Sequence, residues 1–259
     1  MTLTLVLAAS DGFLALADGL RVKPTDDPDR PQLVRDDDIK LHTVPNSPAL
    51  VLSSGRATYD AVPVAVILTE VLELFVTSRS NGAVDDVPAA LDLEAVARAC
   101  AERLTAEDLA TPSQHSAGLL VVGFELGELA AFRVDVPARD FGDGRGMSSV
   151  RPVPIDPLVP VLANPAESET GAMVLLGLDS YADFLADDAD DAVPARDAGY
   201  RFAGMSLAEL RPAAIHRLGA WFSANSDMAA SDGVGGLWSI AEVRRHGAVD
   251  VEHGLRPFD

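Results

Sequence analysis

Two apolar, β-prone runs open the chain, Met1 to Ala9 and Phe13 to Ala17, with Ser10-Asp11-Gly12 between them. Apolar runs meeting across an Asp-Gly turn predict a β-hairpin. Neither run alternates between apolar and polar positions, which predicts a sheet covered on both faces. Val22 to Asp38 is polar, carries Pro24, Pro28 and Pro31, and reads as a loop. A second hairpin is expected from Ile39 to Val44 and Ala49 to Ser53, joined by Pro45-Asn46-Ser47-Pro48. From Ala61 to Ser78 the positions Val62, Ala65, Val66, Leu68, Leu72 and Phe75 recur at helical spacing, and Pro63 suits a first helical turn. Asp92 is an expected N-cap for a second helix reaching Leu104.

Strands are expected next at Gly118 to Glu125, Glu128 to Val134 and Ala172 to Leu176, the first two joined through Leu126-Gly127. Residues 137 to 171 hold many Pro and Gly and little periodicity, and read as an insertion into a single domain spanning 1–259. A short helix is expected at Tyr181 to Leu185, followed by an acidic loop at 187 to 199. Ser206 to Ala224 is a stronger helical pattern, with Ser206 and Glu209 as a capping box and Leu210, Ala214, Leu218 and Trp221 facing inward. Pro212 is expected to kink or restart that helix. Strands at Leu237 to Val243 and Ala248 to Glu252 close the chain. Helices inserted between groups of antiparallel strands imply sheets covered by helices.

Composition narrows the function classes. Of the 259 residues, 48% are hydrophobic, enough for a sizeable core, while the formal charge is −20 from 40 acidic and 20 basic residues. That charge opposes binding to nucleic acid, whose phosphates would be repelled. The acidic clusters Asp36-Asp37-Asp38 and Asp187-Asp188 match no calcium-loop pattern and suit a solvated surface. The five histidines show no metal-ligand spacing, and His216 falls within a helical pattern; no metal or cofactor is expected. Gly142-x-Gly144-x-Gly146 lies in a Pro-rich stretch, not between a strand and a helix, and is a poor phosphate cradle. The single cysteine, Cys100, sits in an apolar helical pattern and reads as core, which fits a reducing cytoplasm. No signal-peptide pattern and no apolar run of membrane-spanning length is apparent, so the expected location is cytoplasmic.

The opening hairpin, Thr2-Leu3-Thr4-Leu5-Val6 through Asp11-Gly12-Phe13-Leu14-Ala15-Leu16-Ala17-Asp18, resembles the start of proteasome β-type subunits and their bacterial relatives. In that family a processed threonine begins the chain and an aspartate follows sixteen residues later, the separation of Thr2 and Asp18. Ile39-Lys40-Leu41 is similar to the strand opening that carries the family's lysine, with Arg35 as the other cation within a shift of register. Ser53-Ser54-Gly55 resembles the turn that faces substrate. Val174-Leu175-Leu176-Gly177, with Ser180 beyond, and Ser231-Asp232-Gly233-Val234-Gly235-Gly236 resemble two later segments. Val234 stands where the family has a serine.

The resemblance implies an α+β fold, a four-layer αββα sandwich of the N-terminal-nucleophile (Ntn) hydrolase type, and an N-terminal threonine peptidase or amidase. Thr2 would be nucleophile and base, Lys40 would tune it, Asp18 would hold Lys40, and Gly55 would donate to the oxyanion. Ser180 and Asp232 would support the site. It further implies a homo-oligomer, with an ATPase or another substrate-delivery partner. Singly, Thr2, Asp18 and Lys40 read better as a strand residue, a strand end and an edge charge; the catalytic reading comes from the ordered set. The departure at Val234 and the 137–171 stretch leave open a catalytically silent, proteasome-like structural subunit.

Overall fold

The computed structural model describes residues 3–23, 32–80, 91–110, 116–137, 148–153, 173–177, 187–188, 191–192, 204–224, 235–245, 247 and 249–256. It is a mixed α/β structure with two five-stranded sheets and few helices among the described residues. Contacts divide the chain into two compact units, each assembled from separated stretches of sequence.

The first unit comprises Met1–Lys40, Pro154–Arg244 and Asp250–Asp259. Strands β1 (Leu3–Ala9) and β2 (Gly12–Ala17) form the expected hairpin, with Thr4 opposite Ala17 and Leu7 opposite Leu14. The sheet runs β12 (Met173–Gly177), β1, β2, β15 (Trp238–Arg244), β16 (Val249–Leu255), so the hairpin lies between strands supplied by the C-terminal half. Residues Thr4 to Ala9 and all of β2 are buried, on both faces of the sheet, as the unbroken apolar runs require. One face carries helix α3 (Leu207–Ala224): Leu207, Leu210, Ala214 and Leu218 pack against Leu5, Leu7, Leu14, Leu16, Trp238 and Ile240. A fully buried leucine of this kind contributes about 1.5–3 kcal/mol.

Helix α3 starts where the sequence indicates, with an added partner. Glu209 accepts from the Ser206 N–H at 2.9 Å and from the Ser206 hydroxyl at 2.7 Å, while Asp11 Oδ1, in the β1–β2 turn, accepts from the Leu207 N–H at 2.8 Å. The helix continues through Pro212 rather than restarting there. The side chain of Trp221 and the expected helix at 181–185 lie outside the described residues. Two expected loops contain short antiparallel pairs, β3 (Arg21–Lys23) with β4 (Gln32–Arg35), and β13 (Asp187–Asp188) with β14 (Asp191–Ala192).

The second unit comprises Leu41–Val153 and Arg245–Val249. Its sheet is antiparallel throughout, in the order β11 (Ser149–Val153), β10 (Glu128–Val136), β9 (Ala117–Glu125), β6 (Ala49–Gly55), β5 (Leu41–Thr43). Leu126 and Gly127, at φ 51° and 85°, make the tight two-residue loop between β9 and β10. Part of the expected 137–171 insertion is thus a strand of the sheet; 138–147 and 154–172 lie outside the described residues.

A two-residue pair, β7 (Thr58–Tyr59) with β8 (Val62–Pro63), leads into helix α1 (Val64–Ser80), so Pro63 stands just before the helix. Helix α2 (Leu93–Ala110) is capped by Asp92, whose Oδ1 accepts from the Ala95 N–H at 2.8 Å, and runs beyond its expected end. Leu68, Leu72, Val96, Cys100 and Leu104 pack on Val51, Leu119, Val121 and Val134. No described helix is long and apolar enough to cross a membrane.

Candidate active site

The site builds up from Asp18, the residue that follows β2. Asp18 is fully buried, and a buried carboxylate needs compensation for its lost hydration. Lys40 supplies the opposite charge: its Nζ donates to Asp18 Oδ1 at 2.8 Å, with the lysine side chain only 7% exposed. The same Nζ donates to the Leu20 carbonyl, also at 2.8 Å. Asp18 Oδ2 accepts from the Gly235 N–H at 3.2 Å. Both carboxylate oxygens are therefore engaged, and the ammonium is held between a charge and a carbonyl dipole.

The backbone around this pair is laced from three stretches of chain. The Gly235 carbonyl accepts from the N–H groups of Gly19 at 3.1 Å and Leu20 at 2.8 Å. The Asp38 N–H donates to the Gly19 carbonyl, and the Leu237 N–H to the Asp36 carbonyl at 2.6 Å. Gly236 has φ 73°, and a Cβ on it would lie 2.5 Å from the Asp36 oxygen, so this approach is closed to other residues. Lys40 itself precedes β5 rather than opening it, in a segment pinned by these bonds.

Of the six residues singled out in the sequence, the structure brings Asp18 and Lys40 into direct contact. Thr2, Ser180 and Asp232 lie outside the described residues. Gly55 belongs to the second unit, where it ends β6. Its φ is 77°, and a Cβ there would sit 2.4 Å from the Ser116 oxygen, so the position demands glycine. Two participants were not visible beforehand. The Leu20 carbonyl carries no sequence signal, since every residue has one. Gly235 stood in a recognised Gly-Gly pair, but its N–H contact with Asp18 spans 217 residues.

The second unit holds another buried pair. Arg56 Nη1 donates to Asp108 Oδ1 at 2.7 Å, and the guanidinium lies 3.8 Å from the centre of the Tyr59 ring. Burial pushes the Tyr59 hydroxyl up to about 12, against the opposing effect of Arg56 and with a smaller upward push from Asp108. Asp108 extends the buried stripe of α2, four residues after Leu104, a spacing that could have signalled it. Cys100 is fully buried, and its thiol is pushed up to about 12 by desolvation, which suits a core residue and not a thiolate nucleophile. His216 is exposed. No group of three or more His, Cys, Asp or Glu able to hold a metal occurs among the described residues.

No family model matches the chain, and no curated protein matches it in sequence. Solved structures do match its fold. The Anbu (Gly-1) mutant from Hyphomicrobium sp. strain MC1 superposes with a TM-score of 0.54 at 13% identity, covering 99% of this chain and 89% of that one. Anbu from the same strain gives 0.53 at 13% identity, covering 98% and 88%. Anbu from Yersinia bercovieri, an ancestral β-subunit, gives 0.50 at 12% identity, covering 98% and 87%. At such identities the likeness is one of fold: over nearly its whole length, this chain is built like Anbu.

Proposed function

We propose that the protein is a proteasome-like Ntn hydrolase, an αββα sandwich that cleaves peptide or amide bonds with an N-terminal Thr2 in an oligomeric assembly. The observation that carries this reading is the buried Asp18–Lys40 pair, 2.8 Å apart and fastened to Gly235 and Leu20. Its two members are the residues that the resemblance assigns to orienting and tuning the nucleophile. The Anbu-like fold supports the same relationship.

In this mechanism Met1 is removed and the Thr2 amine is free. That amine, with an ordinary pKa of about 8, accepts the Thr2 hydroxyl proton as Oγ attacks the scissile carbonyl. The Lys40 ammonium disfavours protonation of the amine and stabilises the developing alkoxide, while Asp18 keeps the ammonium in place. Gly55 has the role of N–H donor to the oxyanion, a role carried by the resemblance alone. The amine then protonates the leaving group, and water hydrolyses the acyl-enzyme. Ser180 and Asp232 are assigned supporting roles on the same ground.

A silent structural subunit is the second reading, favoured by Val234 in place of the family's serine. One experiment separates them. Protein whose mass shows the loss of Met1 is treated with a threonine-directed electrophile and mapped by peptide mass analysis. Modification at Thr2, lost in Thr2→Ala along with turnover, supports the hydrolase; an unmodified Thr2 in demethionylated protein leaves the silent subunit.

A further inference from the structure

One end of the second unit carries a projection and a hollow side by side. Leu126, at the tip of the β9–β10 hairpin, is 90% exposed and holds φ 51°. A bulky side chain in the left-handed region is strained, and a tight hairpin loop ordinarily puts Asn, Asp or Gly there. The leucine therefore bears backbone strain while presenting its apolar surface to water. The base of the hairpin is fastened, because Glu125 Oε1 accepts from the Leu93 N–H of α2 at 2.5 Å. The Phe124 N–H donates to the Pro48 carbonyl at 3.2 Å, which sets the tip beside the turn between β5 and β6. That turn, with Thr43, Gly247 and Val249, lines a cavity of about 360 Å³. The volume falls within the range that takes a small ligand, about 300–1,000 Å³, and so admits one aliphatic side chain.

Charge is divided across this end in the same way. Arg245, two residues before Gly247, is half-buried, with its guanidinium 5.8 Å from the centre of the Phe124 ring. Its Nε is buried without a hydrogen-bond partner, and no carboxylate pairs with it among the described residues. A buried donor left unsatisfied is costly, and this one belongs to a chain with 40 acidic residues against 20 basic ones. Glu128, two residues past Leu126, is exposed and also makes no ion pair among the described residues.

A surface that holds a knob and a hollow, an acid and a base, is completed by an identical surface turned about a two-fold axis. We propose that this end of the second unit is a contact between two copies of the chain. In it, Leu126 of each copy enters the cavity lined by residues 43–48 of the other, and Glu128 of each pairs with Arg245 of the other. Burial of the leucine offsets its strain, and a hairpin already fastened at its base loses little freedom on docking. The contact lies wholly within the second unit and does not depend on hydrolysis, so its failure leaves the hydrolase reading untouched.

The test is sedimentation equilibrium of the full chain at concentrations from about 1 to about 100 μM, a range that brackets a micromolar association. Leu126→Asn removes the knob and relieves the strain, Glu128→Arg sets two cations against each other, and Glu128→Arg with Arg245→Glu exchanges the pair. Arg98→Ala, on the outside of α2, is the control. Self-association is expected in the wild type and the control, weakened about 10-fold or more by Leu126→Asn and by Glu128→Arg. The exchanged pair should return it to within about threefold of wild type. Denaturant unfolding of Leu126→Asn should show a stability at or above that of the wild-type monomer, since asparagine tolerates this φ. Leu126 and Glu128 are both exposed, so these two single variants decide the matter even where the exchanged pair does not fold. A wild type that stays monomeric to the highest concentration overturns the proposal, whatever else the cavity takes. An oligomer that both single variants leave intact also overturns it and places the contact on another face.

Discussion

Among the described residues each unit holds a buried ion pair, and the two pairs are built differently. Asp18–Lys40 joins a carboxylate to a compact ammonium, and its contacts converge on the ends of the two side chains. Arg56–Asp108 uses a planar fork, and its contacts spread over a carbonyl, a carboxylate and an aromatic ring. A point charge held at its tip suits electrostatic influence on a neighbouring group; a fork held along its length suits mechanical fixation of the chain. The difference teaches that burial and distance alone do not rank a charged pair as chemical or structural. How the contacts are distributed does.

The sharpest way to break the comparison is to remove one partner from each pair. On the hydrolase reading Lys40→Ala should lower turnover by about 10²–10⁴-fold, and it should cost about 3–5 kcal/mol because buried Asp18 loses its ammonium partner. Denaturant unfolding and steady-state turnover check the two halves separately. Asp108→Ala should cost a similar 3–5 kcal/mol, but the double replacement Arg56→Met with Asp108→Leu should recover most of it.

A pH-dependent effect belongs to the second unit under alkaline conditions. Tyr59 and Cys100 both hold their protons to about 12 in the folded state, above their ordinary values of 10 and 9. Between pH 9 and 12 the unfolded chain therefore binds fewer protons than the folded one, and stability falls as pH rises through that window. Chemical denaturation across it should show the decline, and Tyr59→Phe should flatten its upper part. The Tyr59→Phe variant should otherwise keep the fold, since only the hydroxyl is lost. Least affected should be exposed pairs: Arg98→Ala removes the bond to Glu94 on the outside of α2 and should change stability by about 0.5 kcal/mol or less. Asp11→Ala lies between these limits, at about 1 kcal/mol, through loss of its cap on α3.

Much of the fold was legible because its signals are local. The β1–β2 hairpin follows from apolar runs across Asp11-Gly12, and α2 and α3 begin at Asp92 and Ser206 as their caps indicate. The short strands β3, β4 and β11 were not legible, since they sit in Pro- and Gly-rich stretches whose pairing depends on partners elsewhere. Pro212, expected to kink or restart the helix, does not end α3, for a related reason. Packing of Leu210, Ala214 and Leu218 on the sheet holds the helix together across a residue that disfavours it locally. The candidate site divides along the same line. Asp18 and Lys40 could be named from the resemblance, but their bonds to Gly235 and Leu20 are non-local backbone contacts. Arg56 and Asp108, 52 residues apart, carry no shared motif at all.

The β1–β2 hairpin also has a history in time. Its strands are made before β12 and β15, which pair with them, and Asp11 waits for a helix that begins 196 residues later. The second unit, drawn almost entirely from Leu41–Val153, has its partners in hand much earlier. Synthesis at about 5–20 residues per second leaves the hairpin's apolar edges unpaired for several seconds or more. During that interval strands that end fully buried present unpaired apolar edges, the condition that exposes a chain to aggregation.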